Sequence, residues 1–188
     1  MHLFNPNKLC KLDDPQRLKQ ISVENIAKHL DLRDGEVLAD IGSGTGLFAF
    51  EFAKLVMPTG KVIGYDIQKE CIAYAVEKQK EKTELPIVFK LNDIGNIPSS
   101  DNEFDAVTML MLAHEISDPD FYKEVYRIMK KGAKLAIVDW QTKQADKGPS
   151  LEERISVDAL YSLLIGYGFE IVHNENINDY NYLLVVKK

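Results

Sequence analysis

Two apolar rhythms alternate along this chain. Short, nearly continuous apolar runs rich in β-branched residues occupy 37–41, 61–66, 87–91, 104–110, 133–139, 169–173 and 182–186. Runs of that length bounded by turn residues predict strands. Between them, apolar residues recur at helical spacing: Phe48, Phe52 and Leu55; Ile72, Ala75 and Val76; Phe121, Val125, Ile128 and Met129; Val157, Leu160 and Leu164. Ser22 caps an earlier stripe of Val23, Ile26, Ala27 and Leu30, and a first short helix holds Leu18 and Ile21. Residues 1–14 read as irregular. Asp118-Pro119 reads as a cap followed by proline at the first helical position, and Lys130-Lys131-Gly132 as the end of that helix. Alternating strands and helices predict an α/β fold, a mostly parallel sheet with helices on both faces. The last two strands have no helix between them and are expected to be antiparallel.

The run 37–46, Val-Leu-Ala-Asp-Ile-Gly-Ser-Gly-Thr-Gly, organises this pattern. A strand ends in a glycine-rich turn and a helix begins at once, the arrangement that presents backbone N–H groups to a ligand. A dinucleotide fingerprint spaces its glycines G-x-G-x-x-G. Here Gly42, Gly44 and Gly46 give G-x-G-x-G, with Asp40 two positions ahead and Leu47 where the dinucleotide pattern has glycine. This spacing disfavours an NAD(P)-dependent oxidoreductase.

Residues 40–46 resemble the first motif of class I S-adenosylmethionine-dependent methyltransferases. The resemblance covers about 35–188 and implies a Rossmann-like methyltransferase fold: a seven-stranded sheet with an antiparallel C-terminal strand. The order of 104–109, 112–116, 127–132 and 135–140 resembles the subgroup containing ubiquinone/menaquinone-biosynthesis C-methyltransferases and arsenite methyltransferases. Segments 11–15 and 148–154 are similar to stretches found in small members of it. Lys131-Gly132-Ala133 departs from that subgroup's proline-glycine-glycine at a turn.

Ligands of open α/β sheets lie beyond the carboxyl ends of the strands. The resemblance implies S-adenosylmethionine as cofactor and assigns its site to Asp40, Gly42, Ser43, Gly44 and Gly46. Asp66, closing the second strand, would take the ribose hydroxyls; a solvated turn aspartate is the plainer reading. Ile67 would pack on the adenine. Asp93 and Ile94, at the third strand's end, would meet the adenine edge, and Met109 and Leu110 the methionine side. His114 stands where an acceptor approaches and is the candidate base, with a backbone-orienting histidine as the alternative. Glu115 reads as an orienting residue. Asp139 and Trp140 line the acceptor pocket or, for Trp140, simply pack. Arg154 reads as a surface ion pair or a binder of an acidic acceptor. The polar stretch 141–154 is the longest expected loop and a candidate cover for the pocket.

The 188 residues fit one domain, with 1–34 as a helical lid segment and 35–188 as the core. A net charge of −6 argues against a nucleic-acid partner, and neither an added binding domain nor an Asn/Asp-Pro-Pro-aromatic tetrad is present. No run approaches the roughly 20 apolar residues of a membrane span. Cys10 and Cys71 have no metal-type spacing and suggest a reducing, cytoplasmic setting; no metal ligand set is expected. Two cysteines are too few for arsenite chemistry. The apolar run 110–112 suits a small acceptor. The expected function is methyl transfer from S-adenosylmethionine to a small molecule; the alternative is a non-catalytic S-adenosylmethionine-binding protein. Oligomeric state has no signal in the sequence.

Overall fold

The computed structural model of the chain describes residues 9–93 and 95–188. Every apolar run becomes a strand: β1 (Val37–Ile41), β2 (Lys61–Asp66), β3 (Ile87–Leu91), β4 (Phe104–Leu110), β5 (Met129–Trp140), β6 (Glu170–Asn176) and β7 (Asn181–Lys187). They form one seven-stranded sheet in the order β3-β2-β1-β4-β5-β7-β6. The first five are parallel, and β7 runs antiparallel between β5 and β6. The strand ends Ile41, Asp66, Leu91, Leu110 and Trp140 therefore collect along one edge of the sheet. Asn181 joins them by pairing with Trp140.

The helices are α1 (Leu9–Leu12), α2 (Gln16–Gln20), α3 (Val23–Leu30), α4 (Leu47–Leu55), α5 (Lys69–Gln79), α6 (Phe121–Ile128) and α7 (Val157–Gly166). Alternation along the strands divides the core into two layers. Leu38, Val62, Ala106 and Ala136 face α3, α4 and α5, with Ile26, Phe48, Phe52 and Ala75. Ala39, Ile63, Val107 and Leu135 face α6 and α7, with Phe121, Val125, Leu160 and Leu164. The fold is the Rossmann-like α/β architecture expected, with helices on both faces of the sheet. Ser22 caps α3 by accepting from Asn25 N–H (3.1 Å), and Ser156 caps α7 by accepting from Ala159 N–H (3.1 Å).

Four local expectations need correction. Residues 9–12 form a helical turn rather than irregular chain. Helix α6 starts at Phe121, not beside Pro119; the Asp118 carboxylate accepts from Asp120 N–H (3.0 Å) and shapes the turn ahead of it. That helix also ends at Ile128, and β5 begins at Met129 instead of Ala133. Met129 pairs with Phe104, the ladder to β4 is irregular up to Lys134, and Gly132 N–H donates to Lys188 C=O. Pairing on both sides outweighs the helical spacing of Met129. On α5 the inner face is Cys71 and Ala75, while Val76 is exposed.

Candidate active site

The turn after β1 is held by the strand beside it. Gly42 N–H and Ser43 N–H both donate to the Tyr65 carbonyl (2.8 and 2.9 Å), and Gly46 N–H donates to the Ser43 carbonyl (2.9 Å). Gly46 starts α4 at φ +79, where a Cβ would stand 2.6 Å from the Phe89 ring. Both the backbone angle and the space demand glycine there. Asp66, at the end of β2, accepts from Gly44 N–H (2.8 Å) and Gln68 N–H (2.8 Å), one on each oxygen. Burial pushes the Asp66 carboxyl up, against those backbone donors.

Asp40 lies beneath the turn, 2% exposed, and accepts from the Thr108 hydroxyl (2.7 Å). Burial, more than the neighbouring Asp66 charge, pushes its carboxyl up to about 7; the Thr108 bond and Arg17 oppose the rise. An acid with a folded pKa above its unfolded value stabilises the fold fully below pH 4, and the benefit is lost as pH rises through about 7. The shift from 3.8 to about 7 corresponds to about 4 kcal/mol. Denaturant titrations of the ligand-free protein from pH 4 to 8 should show that loss. Asp40→Asn, which keeps an acceptor for Thr108, should flatten it.

These groups border one cavity of about 820 Å³ at the carboxyl edge of the strands, toward the large end of small-molecule sites. Of the residues predicted for the cofactor, Asp40, Gly42, Ser43, Gly44, Asp66 and Ile67 line it. Gly46 sits behind the turn, and Met109 is fully buried in the core layer facing α6 and α7; neither is among the lining residues. Asp93 is exposed beside Asn92, which does line the cavity. Ile94 lies outside the described residues. Ser43 Oγ and Thr45 Oγ1 are buried at the cavity wall and have no hydrogen-bond partner among the described residues. Orphaned hydroxyls are costly, and a polar ligand at the turn would satisfy them. The residues present therefore fit a nucleoside bearing a charged amino-acid end.

His114 borders the same cavity from a turn after β4. Its Nδ1 is 2.8 Å from Asp139 Oδ1, and its backbone N–H donates to Asp139 Oδ2 (3.0 Å). Trp140 N–H also donates to Oδ1 (2.7 Å). Asp139 itself is fully buried and lies behind His114 rather than on the wall, a correction to its expected lining role; Trp140 does line the cavity. Burial works to lower the His114 pKa, but the Asp139 hydrogen bond and charge, with Glu115 and Glu153, raise it overall. The carboxylate holds the proton on Nδ1, so Nε2 of the neutral ring is the basic nitrogen.

The place of Arg17 and the true role of Arg154 are not legible from the sequence. Arg17 lines the cavity from α2, donates to the Leu12 carbonyl (2.6 Å), and its guanidinium lies 5.1 Å from the Phe48 ring centre. No motif marks it; it arrives because α2 folds over the turn. Arg154 is neither a surface ion pair nor a lining residue. It is 9% exposed and donates to the carbonyls of Pro149 (3.1 Å), Gln141 (2.9 Å), Lys143 (2.8 Å) and Lys147 (3.0 Å), stacked 5.4 Å over Trp140. It ties up the loop 141–154, which places Lys147, Gly148, Pro149 and Ser150 on the cavity wall.

The family described as "Methyltransferase domain" matches residues 32–172. A 2-phytyl-1,4-naphtoquinone methyltransferase of Synechocystis is 39% identical over 108 residues, covering 56% of this chain and 45% of that protein. A demethylmenaquinone methyltransferase of Lactobacillus johnsonii is 29% identical over 158 residues, covering 83% of this chain and 62% of the relative. The chain thus spans about half the length of the curated relatives it matches. A solved S-adenosylmethionine-dependent methyltransferase from Aquifex aeolicus superposes with a TM-score of 0.93 at 32% identity, over 98% of this chain and 99% of the other.

Proposed function

This chain belongs to the methyltransferase-domain family, and on that premise we propose that it transfers a methyl group from S-adenosylmethionine to a small, largely apolar acceptor bearing an ionisable hydrogen. The observation that carries this reading is that the glycine turn, Asp66 and the His114–Asp139 pair all serve one cavity. When bound, S-adenosylmethionine supplies a methyl group already attached to a leaving group. The protein has only to position the acceptor, exclude water and take up a proton.

Asp66 accepts the ribose hydroxyls with the lone pairs its two backbone donors leave. Ile67 covers the adenine face, and Asp93 meets its edge beside Asn92. Arg17 offers its charge to the carboxylate of the amino-acid end, and Asp40, whose carboxyl burial raises to about 7, ionises when the ammonium arrives beside it. Asp66→Asn should weaken S-adenosylmethionine binding at least about tenfold in calorimetry, because a charge-assisted bond becomes a neutral one. An unchanged affinity would remove Asp66 from the site.

The acceptor is assigned to the apolar part of the wall, formed by Leu110, Met111, Leu112, Phe121, Trp140 and Pro149. His114 Nε2 is the base for an acceptor hydroxyl or comparable acidic hydrogen. The segment 9–34 and the loop 141–154 act as the cover that keeps water out; Lys11, Leu12 and Arg17 on one side and Lys147 to Ser150 on the other border the cavity. The names of the naphthoquinone and demethylmenaquinone methyltransferase relatives favour a quinone-type ring, which carries hydroxyls when reduced. Arsenite fits poorly: Cys71 is the only cysteine among the described lining residues, and burial pushes its thiol up to about 12. Among the described residues no helix is long and apolar enough to cross a membrane. The free thiols Cys10 and Cys71 favour the cytoplasm.

The test is incubation with methyl-labelled S-adenosylmethionine and a panel of reduced naphthoquinones and simple phenols, alongside RNA, DNA and protein. Label moving to an apolar hydroxylated ring supports the reading. Label moving only to a macromolecule would overturn the acceptor class.

A further inference from the structure

On the far side of α3, away from the cavity-lining residues, two histidines and a glutamate converge. His29 comes from α3, and His173 and Glu175 from β6. Their ligating atoms all lie within 4.8 Å of one another. Each imidazole Nε2 is 3.5 Å from Glu175 Oε1, and the rings stack with centroids 3.9 Å apart and planes 18° apart. We propose that His29, His173 and Glu175 form a binding site for a divalent transition metal of the zinc class, tying α3 to the edge strand β6.

Distances of 3.5 Å exceed the about 2.7–3.2 Å of a good N–H···O bond. The two histidine–carboxylate separations are close to the edge, about 3.4 Å, of a tetrahedron drawn about an ion roughly 2.0–2.1 Å from each donor, and all the ligating atoms lie within 4.8 Å of one another. His173 Nε2 is shielded from water and makes no short hydrogen bond; its ion-pair partner, Glu175 Oε1, stands 3.5 Å away. A carboxylate at that distance satisfies a buried nitrogen poorly, and an ion between the two would serve both. Asn25 Nδ2 donates to Glu175 Oε1 (3.0 Å), fixing the carboxylate as outer-shell donors fix ligands. Lys134, which donates to the His29 carbonyl, carries a charge already met by Asp31 at 2.5 Å. The rings stack nearly parallel, so one must rotate for both in-plane lone pairs to reach a single ion; the three side chains are 25%, 31% and 37% exposed, which leaves room for that rotation and for a water as fourth ligand. The ligands are about 145 residues apart in the chain, two protein ends meeting across the fold, which is why no short motif announces them.

Tag-free, chelator-stripped protein titrated with Zn²⁺ in a calorimeter, and with Co²⁺ for its tetrahedral absorption, tests this directly. One ion per chain is expected, with affinity falling at least about 100-fold in His173→Gln and in His29→Gln. Bound Zn²⁺ should raise Tm in the wild type and in Cys10→Ser, and leave Tm unchanged in the histidine variants. Circular dichroism confirms that each variant is folded. No binding by the wild type overturns the proposal. So does binding that survives both histidine substitutions, or that disappears in Cys10→Ser.

Discussion

Replacing His114 with alanine is expected to lower turnover about 10²- to 10⁴-fold, the usual range for a positioned proton acceptor. S-adenosylmethionine affinity should stay nearly constant, because the turn and Asp66 that face the cofactor do not depend on the imidazole. The pH profile gives the sharper readout. A base works in its neutral form, so activity should rise with pH through the His114 pKa, which Asp139, Glu115 and Glu153 place above the ordinary value. Asp139→Asn removes that nearest charge, and the acid limb should shift to lower pH. The plateau should also fall, since an amide can donate to Nδ1 and turn the ring's basic nitrogen away from the acceptor. An unaltered profile in a folded Asp139→Asn protein would reduce the pair to a structural contact. The same measurement thereby separates a base from a histidine that merely holds the turn.

Arg154→Ala is the second large effect. Four carbonyls lose their donor at once, and each unsatisfied buried polar group costs about 1–3 kcal/mol. The loop is near the surface and water reaches part of it, so a net loss of about 2–4 kcal/mol is expected. Arg154→Lys should recover little, because one ammonium cannot span carbonyls that a planar fork reaches together. Limited proteolysis should cut the variant within 141–154 well before the rest of the chain. Because that loop forms part of the cavity wall, acceptor KM should rise more than kcat falls. Resistance to cleavage equal to the wild type would show that the loop holds without its arginine.

The contrast between these two residues indicates what a single sequence discloses. His114 follows a strand end that the apolar pattern locates, so its neighbourhood is legible. Its partner Asp139 is 25 positions away and meets it only because β4 and β5 lie side by side. Arg154 carries no local signal: its partners are main-chain carbonyls, which every residue has. Arg17 is similar, since its place depends on how α2 crosses the glycine turn. The strand–turn–helix unit at 37–55, by contrast, is written in local chemistry, a β-prone run followed by glycines and a helical stripe. The start of β5 is hidden for the same reason as the place of Arg17. Met129 continues a helical stripe locally, yet Phe104 and the end of β7 claim that stretch as strand.

The placement of β7 has a consequence for biosynthesis. β6 leaves the ribosome before the strand it pairs with, and that strand must insert between β6 and β5. Until residues 181–187 emerge, β5 presents an unpaired edge, and β6 has no partner in the sheet. Such edges template association between nascent chains. The parallel half, β1 to β5, is in a position to assemble early around the glycine turn, while closure of the sheet waits for its latest-made strand. Destabilising substitutions in β7, such as a charge at Leu184 or Val185, should therefore reduce the yield of soluble protein in cells more than they reduce the activity of the molecules that do fold.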